Sequence, residues 1–395
     1  MKPTEIRNDF PALQQEVNGQ RLVYLDNAAT SQKPEQVIGA MADFYRRDNS
    51  NVGRSIHELG NRATQRYQES RETVAGFVGA EPDQTVFVRN TTHAMNVLAR
   101  RMPVDGDIVL AEMAHHSEQL PWRRRAEQED VEIQYIPTTD GNELDVEAAK
   151  EIIDADTSIV SVSHISNVFG CVNPVDELGR LANEADANLV LDAAQSAPRM
   201  PLDVGDMPVD ALCFSGHKLL GPAGTGVMWA RKELLEEMPA DDLGGGMVGT
   251  VSQEGFTTAD PPDKFEAGTP DVASAIGLAE AVNYLQGIGM KEVEVHESKI
   301  SSQIVESLRG TDGIHVLAPE SDVSAVSFTI DGTHPHDAAQ VLDSHGVAVR
   351  AGSHCAQPQM EEKGLVGTVR ASPYIYNAES DAKRLLEAVE EAMAF

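Results

Sequence analysis

The sequence predicts an α/β protein: a large domain with a mostly parallel sheet between helices, followed by a smaller α+β domain. Two patterns predict it. Between about residue 70 and residue 290, short apolar runs rich in β-branched residues alternate with stretches of helical periodicity. Such alternation requires crossovers, and crossovers give a parallel sheet covered on both faces. Beyond about residue 285 the alternation stops, and helices and short strands follow in mixed order. The expected domains are therefore 21–285 and 286–395. Residues 1–20 hold no sheet run and are free to join the smaller domain.

The strand runs are Thr85-Val-Phe-Val-Arg, Asp107-Ile-Val-Leu-Ala, Ser158-Ile-Val-Ser-Val-Ser, Asn188-Leu-Val-Leu-Asp and Ala211-Leu-Cys-Phe-Ser. Each is too short for a buried helix. Between them lie helical patterns such as Val175 to Glu184. In the second domain a helix over 289–309 leads into an alternating strand, Val323 to Ile330. A helix over 336–345, a strand Val347-Ala-Val-Arg and a C-terminal helix from Ser380 complete it. Ligands of parallel sheets bind beyond the carboxyl ends of the strands, which directs attention to the residues after each run.

Composition narrows the function classes. Sixty-three acids face 31 bases, a net charge of −32, so nucleic acid and anionic membranes are repelled rather than bound. This surface suits a cell with molar salt, where the screening length falls to about 3 Å; an ordinary acidic cytosolic enzyme is the plainer alternative. No run of about 18 apolar residues is present, and the N-terminus lacks the apolar core of a signal peptide, which predicts a cytoplasmic protein. Cys171, Cys213 and Cys355 are an odd set without a CxxC pair, so neither a disulfide framework nor a thiolate zinc site is expected.

Two adjacent strand ends carry the chemistry. Asp192 closes one run, Gln195 follows it, and Lys218 follows the next run in Ser215-Gly-His-Lys. An acid and a lysine so placed form either a buried ion pair or the two contacts pyridoxal phosphate (PLP) needs. Those are an amine for covalent attachment and a carboxylate for the pyridine nitrogen. Asn90-Thr-Thr-His follows another strand and opens a helix, where Thr91 and Thr92 either cap the helix or offer donors to a phosphate. Ser215 and His217 flank the lysine turn as further phosphate ligands. His115 and Asn167, each just beyond a strand, are placed to stack on the ring and to contact its hydroxyl.

With these residues the chain resembles the cysteine desulfurase group of fold-type I PLP enzymes, the SufS type in particular. The resemblance spans nearly the whole chain. It rests on Tyr24-Leu-Asp-Asn-Ala-Ala-Thr, Met113-Ala-His-His-Ser, Ser163-His-Ile-Ser-Asn, Asp192-Ala-Ala-Gln, Ser215-Gly-His-Lys, Phe265-Glu-Ala-Gly-Thr-Pro and Arg350-Ala-Gly-Ser-His-Cys-Ala-Gln-Pro. It implies that Lys218 binds PLP, Asp192 the ring nitrogen and Gln195 the ring oxygen, with His115 stacked on the ring and active in catalysis. It further implies that Thr269 reaches the phosphate of a neighbouring subunit in a homodimer. Arg370, with Arg350 and Asn167, would receive the carboxylate of L-cysteine.

PLP alone does not name the reaction; Cys355 does. It stands in a polar loop after a strand, between His354 and Pro358, whereas Cys213 and Cys171 read as small buried hydrophobes. The expected reaction converts L-cysteine to L-alanine with a persulfide on Cys355, which then supplies iron–sulfur cluster assembly. The resemblance also implies a sulfur acceptor of SufU or SufE type, with His336 of His334-Pro-His-Asp taking a zinc position of the acceptor. Two departures stand out: Gly53 and Ser353 occupy positions where the family often has histidine. Selenocysteine lyase, a related aminotransferase or epimerase, and an assembly scaffold are the rival readings.

Overall fold

The computed structural model describes residues 1–53, 55–317 and 324–394. Seven strands build the large sheet: β1 Thr85–Val88, β2 Asp107–Ala111, β3 Ile133–Ile136, β4 Thr157–Ser163, β5 Asn188–Asp192, β6 Ala211–Ser215 and β7 Gly226–Ala230. Their order is β1-β7-β6-β5-β4-β2-β3. β2 through β6 are parallel, and β7 runs antiparallel to both β6 and β1. The sheet is therefore mostly parallel, and the carboxyl ends of β1, β4, β5 and β6 share one edge. β3 and β7 have no counterpart among the runs read from sequence.

Burial explains the composition of these strands. Every residue of β4, β6 and β7 is buried, and apolar clusters lie on both sheet faces. Continuous apolar runs of this kind are what a doubly covered sheet requires. Two helices that open beside the carboxyl edge matter for the site. α1, Thr91–Arg101, is capped by Asn90, whose Oδ1 accepts from His93 N at 2.9 Å. α2, His116–Glu129, is capped by His115, whose Nδ1 accepts from Ser117 N at 3.0 Å. A side chain at Gly226 would meet Phe214 O at 2.6 Å and Asn90 Cα at 2.9 Å, so glycine lets β7 pass against the start of α1.

The C-terminal part carries an antiparallel sheet of Ile314–Val316, Val326–Ile330, Thr368–Ala371 and Arg350–Gly352, in that order. Helices Met290–Arg309, Pro335–Ser344 and Glu379–Met393 pack with it. Val323, the expected start of one strand, lies outside the described residues, as does Arg54 beside Gly53. The single strand expected over 347–350 is divided. Val347–Ala348 pairs in parallel with Val23–Tyr24, while Arg350–Gly352 turns to join the antiparallel sheet. Val23 and Leu25 consequently sit in the C-terminal apolar cluster, whereas Phe10 and Leu13 belong to the large one. Among the described residues no helix is long and apolar enough to cross a membrane.

Candidate active site

The carboxyl edge of the large sheet and the Arg350–Ala356 segment enclose a cavity of about 370 Å³. Lys218 and Asp192 form its floor. Lys218 sits in a single 3-10 turn after β6, and that turn is clamped from outside. The His217 carbonyl accepts from Thr30 Oγ1 at 3.0 Å, Ser31 Oγ at 3.1 Å and Lys33 Nζ at 2.8 Å. Burial lowers the Lys218 ammonium to about 8, with Arg370 and Arg199 adding to the shift and Asp192 opposing it. About a tenth of the amine is therefore unprotonated at pH 7, far more than for an ordinary lysine, and that is the form that attacks a carbonyl. Asp192 is 5% exposed and accepts from Ala194 N at 2.8 Å.

A group of donors gathers at one end of the cavity. Thr91 and Ser215 are joined through Thr91 N and Oγ1, at 2.9 and 2.8 Å from Ser215 Oγ. Thr92 Oγ1 meets Ser117 Oγ at 2.7 Å. With the N-terminal amides of α1 these hydroxyls form a cradle for an anion. His115 and His217 also face the cavity. Burial, then the charge on Lys218, drops their imidazoles to about 3 and about 4, so both rings are neutral. Gln195 donates to Ala28 O at 2.9 Å and accepts from Arg199 at 2.7 Å, which fixes its amide.

The opposite wall is built from the C-terminal part. Asn167 links it to the sheet edge: its Nδ2 donates to His354 O, and its carbonyl accepts from Arg370 Nη1, both at 2.7 Å. Arg370 is 3% exposed, its Nε is buried with no hydrogen-bond partner among the described residues, and burial lowers it to about 10. Cys355 is the exposed one of the three cysteines. Its carbonyl accepts from His116 N at 2.9 Å, which ties the loop to the start of α2. His354 and Cys355 both adopt left-handed backbone, φ 52° and 57°, a strained pair for residues with side chains. His354 is bonded to Thr368 Oγ1 at 2.8 Å, and burial lowers it to about 3, so it offers no positive charge to its neighbour.

The donor set fits PLP. A lysine and a buried carboxylate share the floor, an anion cradle stands at one end, and a half-satisfied arginine stands opposite. All but two of the expected site residues meet here. Thr269 lines a separate hollow of about 1170 Å³, together with Gly53; within one chain both lie away from Lys218. His336 stands outside the cavity at the start of its helix, exposed, yet a methyl group added at Gly352 would sit 3.7 Å from its Nε2. Two residues escaped sequence reasoning. Asp26 binds Arg350 at 2.7 Å and Arg370 at 3.6 Å. Its stretch, Tyr24-Leu-Asp-Asn, was distinctive, but nothing local signals arginines so far along the chain. Glu118, in the first turn of α2, reads as a solvated acid and is fully buried.

The model of the family described as Aminotransferase class-V matches residues 23–385. A probable cysteine desulfurase of Halobacterium salinarum is 44% identical, covering 98% of this chain and 95% of its own length. Among solved structures, the apo cysteine desulfurase of Thermococcus onnurineus superposes with a TM-score of 0.95 at 36% identity, over 100% of this chain and 99% of that one. The cysteine desulfurase CsdA of Escherichia coli gives 0.92 at 35% identity, over 100% and 99%.

Proposed function

The chain belongs to the class-V aminotransferase family, and on that premise we propose that Lys218, Asp192, Arg370 and Cys355 carry the reaction of a PLP-dependent cysteine desulfurase. L-Cysteine is the substrate and PLP the cofactor. L-Alanine leaves, and the sulfur serves iron–sulfur cluster assembly. One observation supports the residue assignment above all others: a single cavity holds Lys218 and Asp192 on its floor and Cys355 and Arg370 on its wall.

When bound, PLP supplies an electron sink that loosens the Cα proton and the Cβ–Sγ bond of the substrate. Lys218 would hold the cofactor, and its amine would take and return the Cα proton of the substrate. Asp192 would hold a negative charge toward the ring nitrogen and keep it protonated. Arg370, oriented by Asn167 and Asp26, takes the substrate carboxylate, and Arg350 guards the entrance beside it. Cys355 Sγ attacks the substrate sulfur. The new S–S bond forms as Cβ–S breaks, so the thiol is oxidised to a persulfide while Cβ is reduced to the methyl group of alanine.

The protein works in the cytoplasm as a homodimer, in which Thr269 and Gly53 of one subunit close the neighbour's site. An acceptor of SufU or SufE type receives the sulfur, and exposed His336 would be the residue that engages an acceptor's zinc. Purified protein should be yellow and, with an added thiol reductant to discharge the Cys355 persulfide, should release alanine and sulfide from cysteine. Lys218→Ala should lose covalent PLP and about a thousandfold or more of turnover. A folded, colourless wild type that PLP does not reconstitute would refute the assignment.

A further inference from the structure

Glu118 has no part in the chemistry above, yet it lies beneath the floor of the site. A first-turn acid ordinarily faces solvent and complements the helix dipole; this one turns inward and is fully buried. Its Oε1 accepts from Ser161 Oγ at 3.0 Å and its Oε2 from Ser163 Oγ at 2.6 Å. Ser161 and Ser163 are alternate residues of β4, so both hydroxyls point to one face of the sheet. Ser163 is the cross-strand partner of Asp192, and Asp192 that of Cys213, which sets all three on that face. The surrounding layer is apolar, with Trp122, Val190 and Cys213 in one cluster. Two carboxyl groups one serine apart therefore share a dry layer, and of the pair Asp192 is the one that lines the cavity.

Like charges so placed do not both ionise at neutral pH. Burial first, and the Asp192 charge second, push Glu118 up to about 8, while the two serine hydroxyls oppose the shift. Asp192 is raised by burial and lowered by Lys218 and the Ala194 amide. Facing the pair from β6 is the Cys213 thiol, pushed well up by burial and by both carboxylates.

On the reading that the PLP ring nitrogen meets Asp192, we propose that Glu118 is a positioning residue acting through Asp192: the proton it holds against Ser161 and Ser163 sets how much negative charge stands behind the ring nitrogen. With Glu118 neutral, Asp192 is the one negative charge of the pair. Loss of the Glu118 proton to solvent adds a second charge, which holds the ring proton more tightly. The same proton links to stability. An acid raised in the folded state from 4.5 to about 8 contributes stability that is complete below 4.5 and lost as pH rises through about 8.

Infrared titration of the cofactor-free protein tests the carboxyl group directly, with Glu118→Gln as the subtraction partner. The wild type should lose a protonated-carboxyl band, missing from the variant, with a midpoint near 8. Ser163→Ala should move that midpoint upward and supplies the test if Glu118→Gln fails to fold. A band already lost at about pH 6, or unchanged up to about pH 10, overturns the proposal. Magnetic resonance of enzyme loaded with ring-nitrogen-labelled PLP tests the connection. The resonance should move further toward the protonated position with the midpoint of the infrared band, and stay flat in Glu118→Gln. An equal pH response in wild type and Glu118→Gln would reduce Glu118 to a structural residue. An Asp192→Asn control separates the two claims: if the resonance ignores that change while the infrared midpoint stands, the Asp192 reading has failed and the buried acid has not.

Discussion

The floor of the cavity and its wall are held by different means. On the floor, Lys218, Asp192 and the neighbouring imidazoles are placed by strand ends, and burial moves the protonation of each. On the wall, Cys355 is exposed, and what fixes it is backbone. The carbonyls of His354 and Cys355 are taken by Asn167 and His116, and the loop is bent through two left-handed residues. Cys213 marks the contrast within one residue type. It sits beneath the floor, paired across the sheet with Asp192 and fully buried, with its thiol pushed far toward the neutral form. Burial suits a group that must hold or lend a proton in place. It would disable a nucleophile that must take sulfur from one molecule and pass it to another.

The difference predicts where substitutions act. The largest effect belongs to the floor. Asp192→Asn keeps the shape but removes the charge, and turnover should fall about 100-fold or more while PLP remains attached. Near-normal turnover, measured as alanine release, would show that burial there has no electrostatic purpose.

A smaller effect belongs to the hinge between the two regions. Asp26→Asn should loosen Arg350 and Arg370 together, raising KM for cysteine about tenfold, a cost of about 1.4 kcal/mol, with kcat changed far less. A loss confined to kcat would place Asp26 with the floor instead. The smallest effect concerns the surface that both regions share. With a net charge of −32, the unfolding midpoint should rise as KCl goes from about 0.1 M to about 3 M, because screening relieves the repulsion among carboxylates. A flat or falling midpoint would leave the acidity unrelated to salt.

The same contrast explains what was legible in the sequence. Asp192, Ser215 and Lys218 follow short apolar runs, and a run's end is a position in space once the sheet is parallel. β7 returns antiparallel with no α-helix between it and β6, so it breaks the alternation that reveals its neighbours. β3 was missed because it is a short edge strand with Tyr135 exposed, and its apolar pattern is weak. The wall depends on contacts between distant residues. Asp26 reaches Arg350 across 324 positions, and Asn167 reaches His354 across 187. Glu118 illustrates a third limit: helix periodicity places it in the first turn of α2, and the serines that receive it come from β4.

On the proposed assignment one cavity divides its labour, with Lys218 to hold the cofactor and Cys355 alone to receive the sulfur. Cys355→Ser tests it most directly, followed by mass spectrometry of the intact protein after a single turnover with L-cysteine. The variant should keep PLP and bind cysteine, since Lys218, Asp192 and Arg370 are untouched. It should gain no sulfur atom, because a serine hydroxyl is too weak a nucleophile toward sulfur at neutral pH. The wild type treated alike should gain one sulfur, located on Cys355. A sulfur adduct of equal yield in Cys355→Ser, on Cys171, Cys213 or any other residue, would show that Cys355 is not the sulfur acceptor.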